Sequence, residues 1–323
     1  MRIRIITSIV FCLSLIVIIT KNCDSKKNFD RNIVQSRILT VDSVMDIGGR
    51  IVQPYIKGND VIYVEKNKYS DTVFYFDTEI PMQRLSQKHF LSVPTQHFEC
   101  IDKEDIYYID KLSLTKKTTN SYTRVNTGSI RCAQFIKHDD SCILLGTDTI
   151  SNTTAFYHKK DGNWILSKIL CQNKDKDDIY KNVLKYSGHF IACQNTILYY
   201  CDKYSCVYAF SKHGEFIAEI HTKDNIPLPE IQTFNGMYMY RRGKTSYSTL
   251  AAFETNGIIY AASFYSEGRK LVWDSYDMSN DKYLGSIIIP DVPESNNSLK
   301  YSLYHQGKLL LLTDCNIYLL TIR

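Results

Sequence analysis

The chain has 323 residues, a formal net charge of +5 and 44% hydrophobic residues, enough for one large β domain or two small ones. Three of its basic residues, Arg2, Arg4 and Lys21, fall before residue 23. The remainder is close to neutral, which excludes the electrostatic footprint of a nucleic-acid-binding surface.

The first predicted element is the uncharged apolar run Ile5 to Ile19 behind Arg2 and Arg4. It is shorter than the ~20 residues a membrane-crossing helix needs. A basic start followed by such a run is the layout of a secretory signal peptide, with a core helix as the bland alternative. Residues 1–22 are read as the signal, 23–35 as a flexible tether and 36–323 as one folded domain. Cys23 follows the run, ahead of the polar stretch "DSKKN", and no A-x-A cleavage site is present. This arrangement resembles a bacterial lipoprotein signal, which implies lipidation at Cys23 and attachment to a membrane through that lipid. The preceding "ITKN" departs from the Leu and small residues of that pattern, so ordinary cleavage and an uncleaved anchor stay open.

Downstream, one phrase recurs: an apolar strand that ends in an acid. It occurs as "DVIYVE" (to Glu65), "DIYYID" (to Asp110), "CILLGTD" (to Asp148), "ILYYCD" (to Asp202) and "KLLLLTD" (to Asp314), with a weaker copy ending at Ser263. The spacing averages roughly fifty residues, the period of propeller blades. A second phrase is an aromatic strand, a polar turn and another strand. Its three copies turn at Asp161–Gly162, His213–Gly214 and Asn280–Asp281, residues that tolerate the positive φ of tight hairpins. The first copy reads one residue longer after Trp164, as a bulge would make it. The segment Lys174 to Gly188 fits a short helix or a polar loop. The last strand, "CNIYLLTIR", is expected to pair with "SRILTVDSV" (Ser36 to Val44) and close the ring, leaving no open edge.

These features predict an all-β fold, a β-propeller of six four-stranded blades with seven as the alternative count. A β-sandwich pair explains the repeats less well. The segments "ILYYCDKYSCVYAFSKHGEFIAEI" and "DVIYVEKNKYSDTVFYFD" resemble six-bladed, NHL- or TolB-like β-propeller lipoproteins of Bacteroidota. The resemblance implies a location at the outer membrane. It also implies that the strand-ending acids bind backbone N–H groups of the following loops. A ring of metal-binding carboxylates is the sharper alternative.

Eight cysteines follow Cys23 at irregular spacing without a C-x-x-C. Several sit in apolar runs and read as small buried hydrophobes. Cys201 and Cys206 are the best candidates for a single bridge. A zinc site from Cys193, Cys201, Cys206 and a histidine lacks the usual paired-ligand spacing.

The common catalytic motifs are absent, and no catalytic residue, metal site or cofactor is assigned. His138, Asp139 and Asp140 read as a hairpin tip rather than an acid–base group. Tyr240, Arg241 and Arg242 in "MYRRGKTSY" are the candidate ligand-binding residues: a ring to stack on a sugar and two guanidinium forks for a carboxylate or phosphate. A strand with a charged loop is the plainer reading. The expected function is an exported binding or scaffold module whose partner is an envelope protein or glycan. The alternative is a propeller-fold glycosidase or lyase with paired carboxylates at the channel mouth.

Overall fold

The structure is a computed structural model describing residues 30–34, 39–46, 50–51, 55–57, 60–66, 71–77, 84–91, 98–102, 105–118, 121–263, 271–289, 299–305, 308–313 and 316–322. Cys23, Cys315 and the side chains of Glu65 and Asp314 lie outside the described residues. Among the described residues, no helix is long and apolar enough to cross a membrane.

Strand β1 (Leu39–Asp46) is used last. Sheet 1 follows it and contains β2 (Arg50–Ile51), β3 (Tyr55–Lys57), β4 (Asp60–Lys66), β5 (Asp71–Asp77) and β6 (Arg84–Leu91), with β2 and β3 sharing β4 as partner. Sheet 2 runs β7 (Phe98–Asp102), β8 (Asp105–Asp110), β9 (Ser113–Lys117), β10 (Tyr122–Arg124). Sheet 3 runs β11 (Ile130–His138), β12 (Ser141–Asp148), β13 (Thr153–Lys160), β14 (Asn163–Gln172). Helix α1 (Lys176–Lys185) leads into sheet 4: β15 (Gly188–Ala192), β16 (Thr196–Cys201), β17 (Cys206–Ser211), β18 (Phe216–His221). A separate hairpin, β19 (Ile231–Phe234) and β20 (Met237–Tyr240), precedes sheet 5: β21 (Thr249–Thr255), β22 (Ile258–Ser263), β23 (Leu271–Asp277), β24 (Lys282–Ile289). Sheet 6 holds β25 (Leu299–His305), β26 (Lys308–Thr313) and β27 (Asn316–Ile322), and β1 completes it.

Each sheet is an antiparallel meander, and the first strands adjoin one another: β7 lies beside β11, β11 beside β15, β21 beside β25 and β25 beside β3. That is a β-propeller. Its closure follows the sequence expectation. Leu39 stands opposite Ile322 and Asp46 opposite Asn316, so the chain's last strand is locked inside a sheet whose edge comes from its beginning.

The central strands are apolar on both faces because each face meets a neighbouring sheet. On β12, Leu144 packs toward sheet 2 with Tyr107 and Leu114, while Ile143 and Leu145 pack toward sheet 4 with Tyr199 and Phe210. On β26, Leu309 and Leu311 join Phe253 and Trp273, whereas Leu310 and Leu312 join Tyr200 and Ile259. The unbroken run "LLLL" therefore reads as two alternating faces, both buried, where a half-exposed strand would alternate with polar residues. Tyrosine supplies much of the filling: Tyr199, Tyr200, Tyr208 and Tyr276 are almost wholly buried.

The turn residues behave as their chemistry requires. Asp161 and Gly162 both have positive φ, at 50° and 82°, as do Gly214 at 87° and Asp281 at 55°. All three related hairpins are bulged, the first of them twice, between Thr154 and Ala155 and between Phe156 and Tyr157, whereas the sequence showed a single extra residue and only in the first. The second and third absorb the extra residue nearer the turn, between Ala209 and Phe210 and between Ser275 and Tyr276. The segment open between helix and loop forms α1. The Asp175 side chain caps it by accepting from Asp178 N at 2.9 Å, and Asp177, Asp178 and Lys185 complement its dipole.

One boundary moves. Residues 31–34, expected in the tether, are docked on the outer strand of sheet 5. Val34 N donates to Ser286 O and Ser286 N to Asn32 O, both at 2.8 Å. The Arg31 side chain, 3% exposed, reaches Asp224 and Asp274. A buried guanidinium with two carboxylate partners holds this stretch in place, which its polar composition did not indicate. Cys201 and Cys206 are both free thiols, so the expected bridge between them is not made, and five of the seven described cysteines are buried.

Candidate binding face over the fourth sheet

Asp110 and Asp148 close the second strands of sheets 2 and 3, and Asp202 lies just beyond the second strand of sheet 4, as expected. Asp148 binds its following loop in the expected way. Its carboxylate accepts Ile150 N at 3.0 Å and the Ser151 hydroxyl at 2.7 Å. Hydrogen bonds to Ser129 and this loop lower its pKa against the opposing pull of burial. Where the acid is missing, at Ser263, a carboxylate arrives from elsewhere. The Ser263 hydroxyl donates to Asp224 Oδ2 at 2.6 Å, and Asp224 comes from the connection after β18.

Asp202 departs from the pattern. It stands 3.4 Å from His189 Nε2, on the first strand of the same sheet. Burial raises its pKa, while His189 and Lys203 pull it back down. A second carboxylate marks the start of an inner strand in sheet 2. Glu99 falls at a bulge in β7, and its Oε2 accepts Phe135 N on β11 at 2.9 Å. Burial pushes its pKa up to about 8, so it is largely protonated at neutral pH. No motif in the sequence marks Glu99; a charged residue beside a buried Cys100 was the only available signal.

The loops around Asp202 share a face with α1 and the β19–β20 hairpin, and these two elements are fastened together. Tyr180 and Tyr238 stack with centroids 5.9 Å apart and planes 10° from parallel. Tyr240 donates its hydroxyl to Leu184 O, the carbonyl near the helix end, at 2.8 Å. Burial pushes the Tyr240 phenol up to about 12. Lys203, from the β16–β17 loop, lies over the rings of Tyr240 and Tyr247.

The period of two along β20 then decides what faces out. Tyr238 and Tyr240 are half-buried against the helix, while Met237 and Met239 are 66% and 43% exposed. Phe234, paired with Met237 across the hairpin, is 58% exposed. Tyr180 and Tyr247 add exposed rings beside it.

Of the three residues singled out by sequence, Tyr240 is turned inward as a pin. Arg241 is exposed and pairs with Glu230, and Arg242 is exposed in the following turn. The phrase "MYMY" carried the signal for the outward methionines. The histidine and acids of "KHDDS" form a hairpin tip as read, with Asp139 at a φ of 51°.

No family model matches the chain, and no curated protein does. Among solved structures, it resembles a streptogramin B lyase (10% identity, 89% of this chain and 98% of that one, TM-score 0.44). A structural-genomics protein of unknown function from Bacteroides thetaiotaomicron matches at 10% identity over 89% of this chain and 76% of that one, TM-score 0.45. Regucalcin, a calcium-binding protein from Agrobacterium tumefaciens, matches at 9% identity over 85% and 94%, TM-score 0.43. Likenesses this distant carry no argument about activity, and the propeller assignment rests on the sheet order itself.

Proposed function

We propose that the chain is an exported propeller, held at the cell envelope by a lipid on Cys23, that binds a partner through the β19–β20 hairpin. The reading rests on one observation: a hairpin pinned from behind by Tyr238 and Tyr240 presents Phe234, Met237 and Met239 to solvent. Exposed apolar side chains on a rigid support are what an interaction surface needs, and methionine adapts its shape to a partner. Arg242 and Lys244 border the patch, which favours a partner that also offers acidic groups. An envelope protein fits this mixture of apolar and basic contacts better than a glycan does.

The test is co-purification from envelope extracts with wild-type protein and a Met237→Ser/Met239→Ser variant. The variant is expected to melt like wild type and to lose the specific partner. An unchanged partner set rules out the hairpin as the contact. Mass spectrometry of the mature N-terminus is expected to find an acylated Cys23; an unmodified residue there removes the anchor.

A further inference from the structure

The β17–β18 hairpin places three different metal-ligating groups together at the rim of sheet 4. Cys206 opens β17 and His221 closes β18, and the two are paired directly across the ladder. Glu219 lies two residues before His221 and so shares its face of the strand. Glu219 Oε1 stands 3.7 Å from His221 Nε2, and Cys206 Sγ is 3.8 Å from the same oxygen. One ligand atom from each of the three lies within 4.8 Å of the other two. In a tetrahedral zinc site the edges between such donors measure about 3.3–3.6 Å. Two edges are thus within a few tenths of an ångström of that length, and rotation of His221, 56% exposed, shortens the third.

The surroundings orient the donors. Lys168 from sheet 3 holds Glu219 Oε2 at 2.7 Å, which leaves Oε1 as a single-oxygen ligand. Asp281 from sheet 5 accepts the backbone N–H of His221 at 3.2 Å and places Oδ2 at 3.7 Å from Nδ1. A carboxylate on the far ring nitrogen is the usual outer partner of a metal-bound imidazole. Tyr204 OH also lies 3.4 Å from Nε2.

We propose that Cys206, Glu219 and His221 form a binding site for a borderline-soft divalent cation of the zinc(II) class, with a fourth coordination position open to solvent. Sulfur, imidazole and one carboxylate oxygen are the donors zinc, cobalt and copper take, and calcium and magnesium decline thiolate. Binding forms the metal–sulfur bond and breaks the S–H bond of Cys206, whose proton leaves to the buffer. The assignment rests on these three side chains alone and does not depend on the hairpin patch.

Cobalt(II) titrated into the reduced, metal-free full chain tests the assignment. The expected result is a thiolate-to-cobalt charge-transfer band that saturates at one ion per chain and is bleached by zinc(II). Cys206→Ser is expected to abolish the band. His221→Ala changes an exposed side chain, so the fold survives, and is expected to weaken zinc binding by more than about tenfold. Asp281→Asn is expected to cost about tenfold by loosening the imidazole. No band in the wild type, a band that survives Cys206→Ser, or unchanged zinc affinity in His221→Ala overturns the proposal. If Cys206→Ser does not fold, the wild-type titration and His221→Ala decide it.

Discussion

Arg31 Nε donates to both oxygens of Asp274, at 3.0 and 3.3 Å, across 243 residues of sequence. Both side chains are nearly inaccessible to water. Arg31 also reaches Asp224, and Ser263 and Ser286 donate to the two carboxylates. The network ties residue 31 to the connection after sheet 4 and to three strands of sheet 5, through Ser263, Asp274 and Ser286.

Removing the cation strands two buried carboxylates. Arg31→Ala is expected to destabilise the fold by about 3–5 kcal/mol, the usual cost of breaking a buried ion pair from one side. Chemical denaturation checks this. A loss under about 1 kcal/mol, the range of an exposed pair, would mean that water already reaches the network.

Glu99 makes stability depend on pH in a definite direction. In the unfolded chain it titrates near the ordinary glutamate value of about 4.3. In the fold, burial holds it near 8. Between these values the unfolded state has released a proton that the folded state keeps, so the contribution of Glu99 to stability falls as pH rises. Glu99→Gln retains an acceptor for Phe135 N and removes the titration. Its stability advantage over wild type is expected to grow by a few kcal/mol from about pH 4.5 to about pH 8. Urea midpoints at both pH values measure it, and parallel curves would place Glu99 in water.

The closure of the ring is also testable. β27 lies between β26 and β1, so deleting residues 316–322 removes a middle strand and leaves β1 with nothing to pair against. A cooperative melt is expected to disappear. A truncated chain that melts like the full one would show that sheet 6 contributes little to the fold.

How much of this was legible in the sequence varies by feature. The runs "CILLG", "ILYY" and "LLLL" betrayed strands buried on both faces, and "DG" and "HG" marked their turns, because these depend on neighbours in sequence. The closing pair was legible because both ends of the chain carry strand-like apolar residues. The Arg31 network was not, since its members meet only after five sheets have been laid down. The Cys206–Glu219–His221 group lies within a single strand–turn–strand phrase. It leaves no trace in the sequence because the ligands approach across a hairpin ladder, where spacing carries no paired-ligand signature. "MYRRG" points to its arginines, yet the register of β20 turns Tyr240 inward and the methionines outward, and register is a property of the pairing.

Tyr240 offers the sharpest test of how the exposed patch is held. Its hydroxyl donates to Leu184 O, and its ring lies beneath Lys203. Tyr240→Phe keeps the ring and removes only the donor, at a net cost of about 1 kcal/mol. Because the hairpin is an insertion outside the six sheets, that loss is expected to appear as local opening, with the global melt hardly moved. Protease cleavage between residues 231 and 247 is then expected to speed up about fivefold, the Boltzmann factor for that energy. Amide exchange in β19 and β20 should rise with it, while β16 and β17 stay protected. Equal cleavage rates in the two proteins would mean that the Tyr180–Tyr238 stack alone fastens the hairpin, and that Tyr240 can be replaced without disturbing the binding face.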